Sequence, residues 1–158
     1  MTAETNNSSH DITRITDYLY ISAWPQGEHA DGIRDLDIRL ILSMHWRRPS
    51  GLLAQAPLRL LWLPTIDSPL TPMPIASLKR GVEAALPVIE NGEGVLAHCS
   101  YGIHRSVAMA CCVLVGMGYN AEDAMRLVKD QRPVADPYVW YIRRRIEKFE
   151  LHWRNASL

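Results

Sequence analysis

Residues 94–106 read Gly-Val-Leu-Ala-His-Cys-Ser-Tyr-Gly-Ile-His-Arg-Ser, in which a thiol, Cys99, and a guanidinium, Arg105, bracket five residues. Val95, Leu96 and Ala97 make a short apolar strand, and Ser106-Val-Ala-Met-Ala-Cys-Cys-Val-Leu-Val-Gly116 reads as a buried helix. A compact turn between strand and helix is suited to binding phosphate. Its amides can point inward as a nest for anionic oxygens, and the helix N-terminus adds a positive dipole end. Arg105 can grip two oxygens with its planar fork. Ser100, Tyr101, Gly102, Ile103, His104 and Arg105 are the candidate substrate-binding residues. Cys99 is the candidate nucleophile at the floor. An ordinary thiol is mostly protonated at neutral pH, but such surroundings lower its pKa to about 3.5–7.5. The thiolate can then attack phosphorus and form a phosphocysteine. Phosphoryl transfer rests mainly on positioning and charge stabilisation, which Arg105 and the loop amides would supply.

A leaving oxygen also needs a proton, and two aspartates compete to give it. Asp67 follows an apolar run in a segment rich in proline (Pro64, Pro69, Pro72, Pro74), and Asp136 precedes Pro137. Asp67 is the expected acid and Asp136 the expected cap of the last helix. His104 sets an imidazole beside Arg105, where it could alter phosphate affinity, and its ring is expected to turn outward to solvent. Cys111 and Cys112 read as core thiols, and Arg143-Arg144-Arg145 as a solvated face. His45-Trp46-Arg47-Arg48 reads equally as a reader of groups around the phosphate and as a surface turn.

The loop at residues 98–106 resembles the signature of the cysteine-based protein tyrosine phosphatases, and most closely their small dual-specificity branch. Ile15-Thr-Asp-Tyr-Leu-Tyr-Ile-Ser22 resembles that branch's opening strand, and Leu40-Ile-Leu-Ser43 its next core strand. Leu63-Pro-Thr-Ile-Asp67 resembles its acid segment, and Gln131-Arg-Pro133 with Pro137 its late helical connection. The resemblance implies an active phosphatase with Cys99, Arg105, Asp67 and Ser106 as catalytic residues. Ser106 would stabilise the thiolate leaving group, and His98 would steady the loop. It implies a phosphorylated protein or peptide as substrate, and no cofactor or metal. The alternatives are a phosphatase of the same fold acting on a phosphoinositide, a sugar phosphate or an RNA 5′-phosphate, and a non-catalytic phosphate-binding module. A rhodanese-like sulfurtransferase is the remaining reading.

These groups need a scaffold. Alternating strands and helices followed by a helical half imply an α/β fold, with a central, mostly parallel sheet flanked by helices. Residues 12–22 are expected as strand or hairpin, 28–36 as a short helix, and 38–44 and 58–63 as buried strands. A helix over 75–90 should bend at Pro87. Further helices are expected over 105–116, from Asn120 to before Pro133, and after Pro137. The last should turn Trp140, Ile146 and Phe149 inward. Chemistry in such sheets collects at the carboxyl ends of the strands. The 99–105 loop, the 64–67 segment and the 44–48 segment should therefore converge.

With 158 residues and 47% hydrophobic content, residues 12–158 are expected as one catalytic domain. Residues 1–11 are expected as a flexible tail without signal-peptide character. Seventeen basic and seventeen acidic residues cancel, so no global field recruits nucleic acid. No stretch approaches the roughly 20 apolar residues that a membrane span takes. Three cysteines make no disulfide framework, and a nucleophilic thiol must stay reduced, which points to the cytoplasm. Oligomeric state is not readable.

Overall fold

The computed structural model describes residues 11–156. Its sheet contains β1 (Ile12–Arg14), β2 (Leu19–Ser22), β3 (Ile38–His45), β4 (Arg59–Thr65) and β5 (Gly94–His98), in the order β1-β2-β5-β3-β4. Only the β1–β2 hairpin is antiparallel; β2–β5, β5–β3 and β3–β4 are parallel. The central strands are buried along nearly their whole length, as parallel strands covered on both faces must be. The fold is thus the expected α/β architecture with a mostly parallel sheet.

Helix α1 (Ala30–Asp35) follows a 3-10 turn and covers one face. There Ala30 and Ile33 pack with Ile38, Ile41, Leu53, Leu58 and Leu96. The larger core lies on the other face, beneath α2 (Ile75–Glu90), α3 (Arg105–Gly116), α4 (Ala121–Gln131) and α5 (Trp140–Ala156). Helix α3 is buried from Arg105 to Val115, so its apolar character runs all round it. Asn120 caps α4 as expected, its side chain accepting from the Asp123 amide at 2.8 Å.

Two packing expectations need correction. Trp140 is 58% exposed, and the inner stripe of α5 is Ile142, Ile146 and Phe149. Spacings of four and three keep those residues on one face, and Trp140 lies two positions out of phase. Leu36, which a helix over 28–36 would set on one face with Ala30 and Ile33, is exposed because α1 ends at Asp35. Helix α2 spans Ile75–Glu90 as expected, with Pro87 inside its last turn. Of the expected tail only Asp11 is described, and its carboxylate pairs with Arg132 at 2.6 Å; residues 1–10 lie outside the described part. Among the described residues, no helix is long and apolar enough to cross a membrane.

Candidate active site

Strand β5 lies between β2 and β3, and His98 is level with Ser22 on one side and Ser43 on the other. The chain therefore leaves the sheet at its carboxyl edge and turns through residues 99–104 into α3. Gly102 makes the turn possible, with φ +66°. A Cβ there would lie 2.6 Å from Arg132 Nη2 and 2.8 Å from the Ser22 carbonyl oxygen, so both conformation and space demand glycine.

Cys99 is 3% exposed, and its sulfur lies 3.2 Å from the Ser106 hydroxyl. Burial pushes the thiol pKa up. The Ser106 hydroxyl and amide, the Arg105 charge and the Gly102 amide outweigh burial, so the thiol lies below its ordinary value. The other two cysteines are free and fully buried in α3, and desolvation pushes both far up. One thiol of three is thus electrostatically activated.

Arg105 ties the three expected segments together. Its Nη1 donates to the Thr65 carbonyl at 2.8 Å and approaches the Met44 carbonyl at 3.4 Å, while Nη2 donates to the Ser100 hydroxyl at 3.1 Å. The register of β3 and β4 shifts between Ser43 and His45, and the Thr65 hydroxyl donates to the Met44 carbonyl across that shift. Arg105 Nε is buried without a hydrogen-bond partner among the described residues. A buried guanidinium N–H without an acceptor is costly.

Asp67 lies beyond the end of β4 and is held at both oxygens. The Tyr141 hydroxyl donates to Oδ1 at 2.8 Å, and His104 Nδ1 lies 2.8 Å from Oδ2. Burial, the Asp67 contact and the Asp136 charge push the Tyr141 phenol up to about 12 against a lowering by Arg105, so it keeps its proton and acts as donor. His104 is therefore not turned to solvent as expected. Its ring packs edge-on to Tyr141 at 5.8 Å and joins the loop to the acid segment. Asp136 Oδ2 stands 3.9 Å from the other ring nitrogen. Its Oδ1 accepts from the amides of Tyr138 and Val139, which is the expected cap at the approach to α5.

A sequence model for the dual specificity phosphatase catalytic domain matches residues 19–150. The chain belongs to the dual specificity phosphatase family. It is a cysteine-based protein phosphatase. It is 27% identical over 146 residues to human dual specificity protein phosphatase 22, covering 89% of this chain and 74% of that protein. It is 27% identical over 124 residues to the dual specificity phosphatase TpbA of Pseudomonas aeruginosa, covering 78% of this chain and 55% of that one. The crystal structure of PTPMT1 superposes with a TM-score of 0.81 at 22% identity, covering 93% of this chain and 99% of that one, a likeness of fold.

Other residues of this family member fall into place around the loop. His98 is buried, with Nδ1 3.3 Å from the Cys99 carbonyl, and packs edge-on against Trp24 at 5.5 Å. Tyr101 is 74% exposed at the rim, and Ile103 is half-buried. The 45–48 segment lies beside the site. His45 packs on Trp24 and Trp46, and Arg47 lies 4.7 Å from the Trp46 ring centroid. Burial and the charges of Arg105 and Arg47 lower the His45 pKa, which keeps its ring neutral.

Sequence reasoning missed Arg132 and Tyr141. Arg132 is 2% exposed and grips the back of the loop, donating to the carbonyls of Gly102 at 2.8 Å and Tyr101 at 3.1 Å. It also holds Asp11 and Thr13. Its place in Gln131-Arg-Pro133 was the available signal, but a guanidinium 30 residues from its partner looks like any other in one dimension.

Proposed function

We propose that the chain hydrolyses phosphorylated protein side chains through a phosphocysteine on Cys99, with Asp67 as proton donor. The supporting observation is the pairing of a lowered thiol with a buried, partly unsatisfied guanidinium at one helix N-terminus. The substrate phosphate enters the cup formed by residues 99–105, where loop amides and Arg105 hold its oxygens. The thiolate attacks phosphorus, the S–P bond forms and the P–O ester bond breaks. Asp67 passes a proton to the departing oxygen. Water then attacks phosphorus, Asp67 takes a proton back, and the S–P bond breaks. The Ser106 hydroxyl, 3.2 Å from sulfur, donates to the returning thiolate.

Asp67 serves both steps because Tyr141 and His104 hold its carboxyl against an otherwise irregular segment. Tyr101 and Ile103 form rim, and the 45–48 segment contributes the neighbouring wall. The relatives' names support protein substrates, since they are protein phosphatases. A nucleophile that must remain reduced supports a cytoplasmic setting.

The reduced protein should turn over aryl phosphates without added metal, and Cys99→Ser should lower kcat by about 10⁵-fold or more, as removal of a nucleophile does. Activity that survives this substitution, or that a chelator removes, rejects the proposal.

A further inference from the structure

The three consecutive arginines of α5 have different fates. Arg143 is engaged by Glu122 at 2.6 Å and by Glu147 at 3.4 Å. Arg144 and Arg145, with Lys148 one turn on, line an open groove of about 700 Å³ between α5 and the prolines Pro69 and Pro72 of the acid segment. None of these three cations forms an ion pair among the described residues. Glu147 is the one acidic residue in the lining. Trp140 and Leu151 also line the groove, with 58% and 63% of their surfaces exposed.

The groove adjoins the acid segment of the candidate active site. Tyr141 lines it, and the same tyrosine holds Asp67. Tyr141 and Arg145 also line a crevice of about 10 Å³ that contains Asp67 and Arg105. The groove therefore begins beside the residue that holds the proposed proton donor.

We propose that this groove binds an acidic segment of the phosphoprotein substrate, flanking the phosphorylated residue and carrying one apolar side chain. The proposal rests on Cys99 and Asp67 marking the catalytic site. Charge complementarity argues for the occupant: the whole chain carries no net charge, so three unpaired cations in one groove form a local field rather than part of a general one. Guanidinium groups match carboxylates with a two-pronged contact. Trp140 and Leu151 offer the apolar area that a purely ionic contact would lack. Such a surface discriminates in binding, so its effect falls on KM and leaves kcat nearly unchanged.

The test compares two phosphotyrosine peptides of equal length, one with a flanking acidic cluster and one neutral, on wild type and on the double variant Arg144→Glu/Lys148→Glu. Wild type should favour the acidic peptide by about tenfold in kcat/KM, as a few exposed ion pairs allow. The difference should lie in KM and shrink as salt rises. The double variant should lose or invert that preference and turn over a small aryl phosphate at the wild-type rate. Calorimetric titration of both peptides into Cys99→Ser protein, with and without the charge reversals, reads the groove without turnover. Failure of the catalytic reading would appear as an inert wild type towards the aryl phosphate, with peptide preference still measurable by titration. Equal affinity for both peptides, or a preference that survives charge reversal, overturns the groove assignment. So does the absence of a peptide preference together with charge-dependent binding to phosphatidylcholine–phosphatidylserine vesicles.

Discussion

The phosphate loop and the acid segment meet at one site but are built by opposite means. The loop is held from every side: Arg132 grips its carbonyls from behind, the Trp24 amide donates to Ser100, and the Asp136 amide donates to Ile103. Gly102 sits against the backbone of Ser22. The acid segment past Thr65 has no regular structure, and Ile66 and Leu70 are 53% and 91% exposed. Its backbone hydrogen bonds are local: the Ser68 amide donates to the Ile66 carbonyl and the Thr71 amide to the Ser68 carbonyl. Its precision comes from the side chain of Asp67, tied to Tyr141 and His104. A phosphate cup must exist before substrate arrives, because its donors act only if they need no rearrangement. A proton donor must admit the substrate first, and two side-chain hydrogen bonds are a tether that can yield.

The largest effect in this comparison should fall on the loop. Arg105→Lys keeps the charge but replaces a planar fork with a point donor, and it cannot reach Thr65, Ser100 and a phosphate together. A loss of about 10³-fold in kcat/KM is expected, near the cost of removing an oxyanion donor. A near wild-type value would show that the cup tolerates a loose cation, and the contrast between a rigid loop and a yielding segment would fail.

Next comes the acid. Asp67→Asn should lower kcat by about 10²–10⁴-fold on an unactivated aryl phosphate, with little change in KM. The loss should shrink as the leaving group becomes acidic enough to depart unprotonated. Equal losses across leaving groups would mean that Asp67 shapes the site without giving the proton.

The two regions also differ in how far the sequence revealed them. The strand, turn and helix around Cys99 are contiguous, so periodicity and spacing place α3 at Arg105–Gly116, as found. Convergence with the ends of β3 and β4 followed from parallel topology, which puts strand ends on one edge. The tether of Asp67 was hidden because it joins residues 37 and 74 positions apart through side-chain directions. Tyr141 looked like one more aromatic on an amphipathic helix. Spacing alone places Trp140 in the core and gives Tyr141 no role, whereas the phase of α5 set by Ile142 and Ile146 turns the first to the groove and the second to Asp67. Helix phase depends on packing against α2 and α3, and no local pattern reports it.

A smaller effect separates tether from acid. His104→Asn and Tyr141→Phe each remove one contact to Asp67 and leave the carboxyl in place. Each should lower kcat on unactivated aryl phosphates by about tenfold, roughly the 1.4 kcal/mol of a hydrogen bond to a charged group. The leaving-group dependence should steepen in the same sense as for Asp67→Asn. A merely structural role would change all substrates alike. If both variants match wild type, the acid is positioned by its backbone, and the segment is more rigid than its exposure suggests.

The smallest effect belongs to Asp136, the other carboxylate beside His104. Its Oδ1 accepts the Tyr138 and Val139 amides at 3.2 and 3.1 Å, while its Oδ2 is 3.9 Å from the imidazole, beyond hydrogen-bond reach. Its side chain is therefore committed to the turn leading into α5. Asp136→Asn keeps an oxygen acceptor for those amides, so it should leave both kcat and the leaving-group dependence near wild type. Asp136→Ala removes the acceptor and should cost about 0.5–2 kcal/mol of stability, read as a Tm lower by several degrees. Since α5 also carries Tyr141, a loosened start of the helix would reach the tether, and a further fall in kcat on slow leaving groups should accompany the alanine variant only. Should Asp136→Asn show the steep leaving-group dependence and Asp67→Asn lack it, the two carboxylates exchange roles. The proton donor would then belong to the well-anchored side of the site, and the division between a fixed cup and a tethered acid would be wrong.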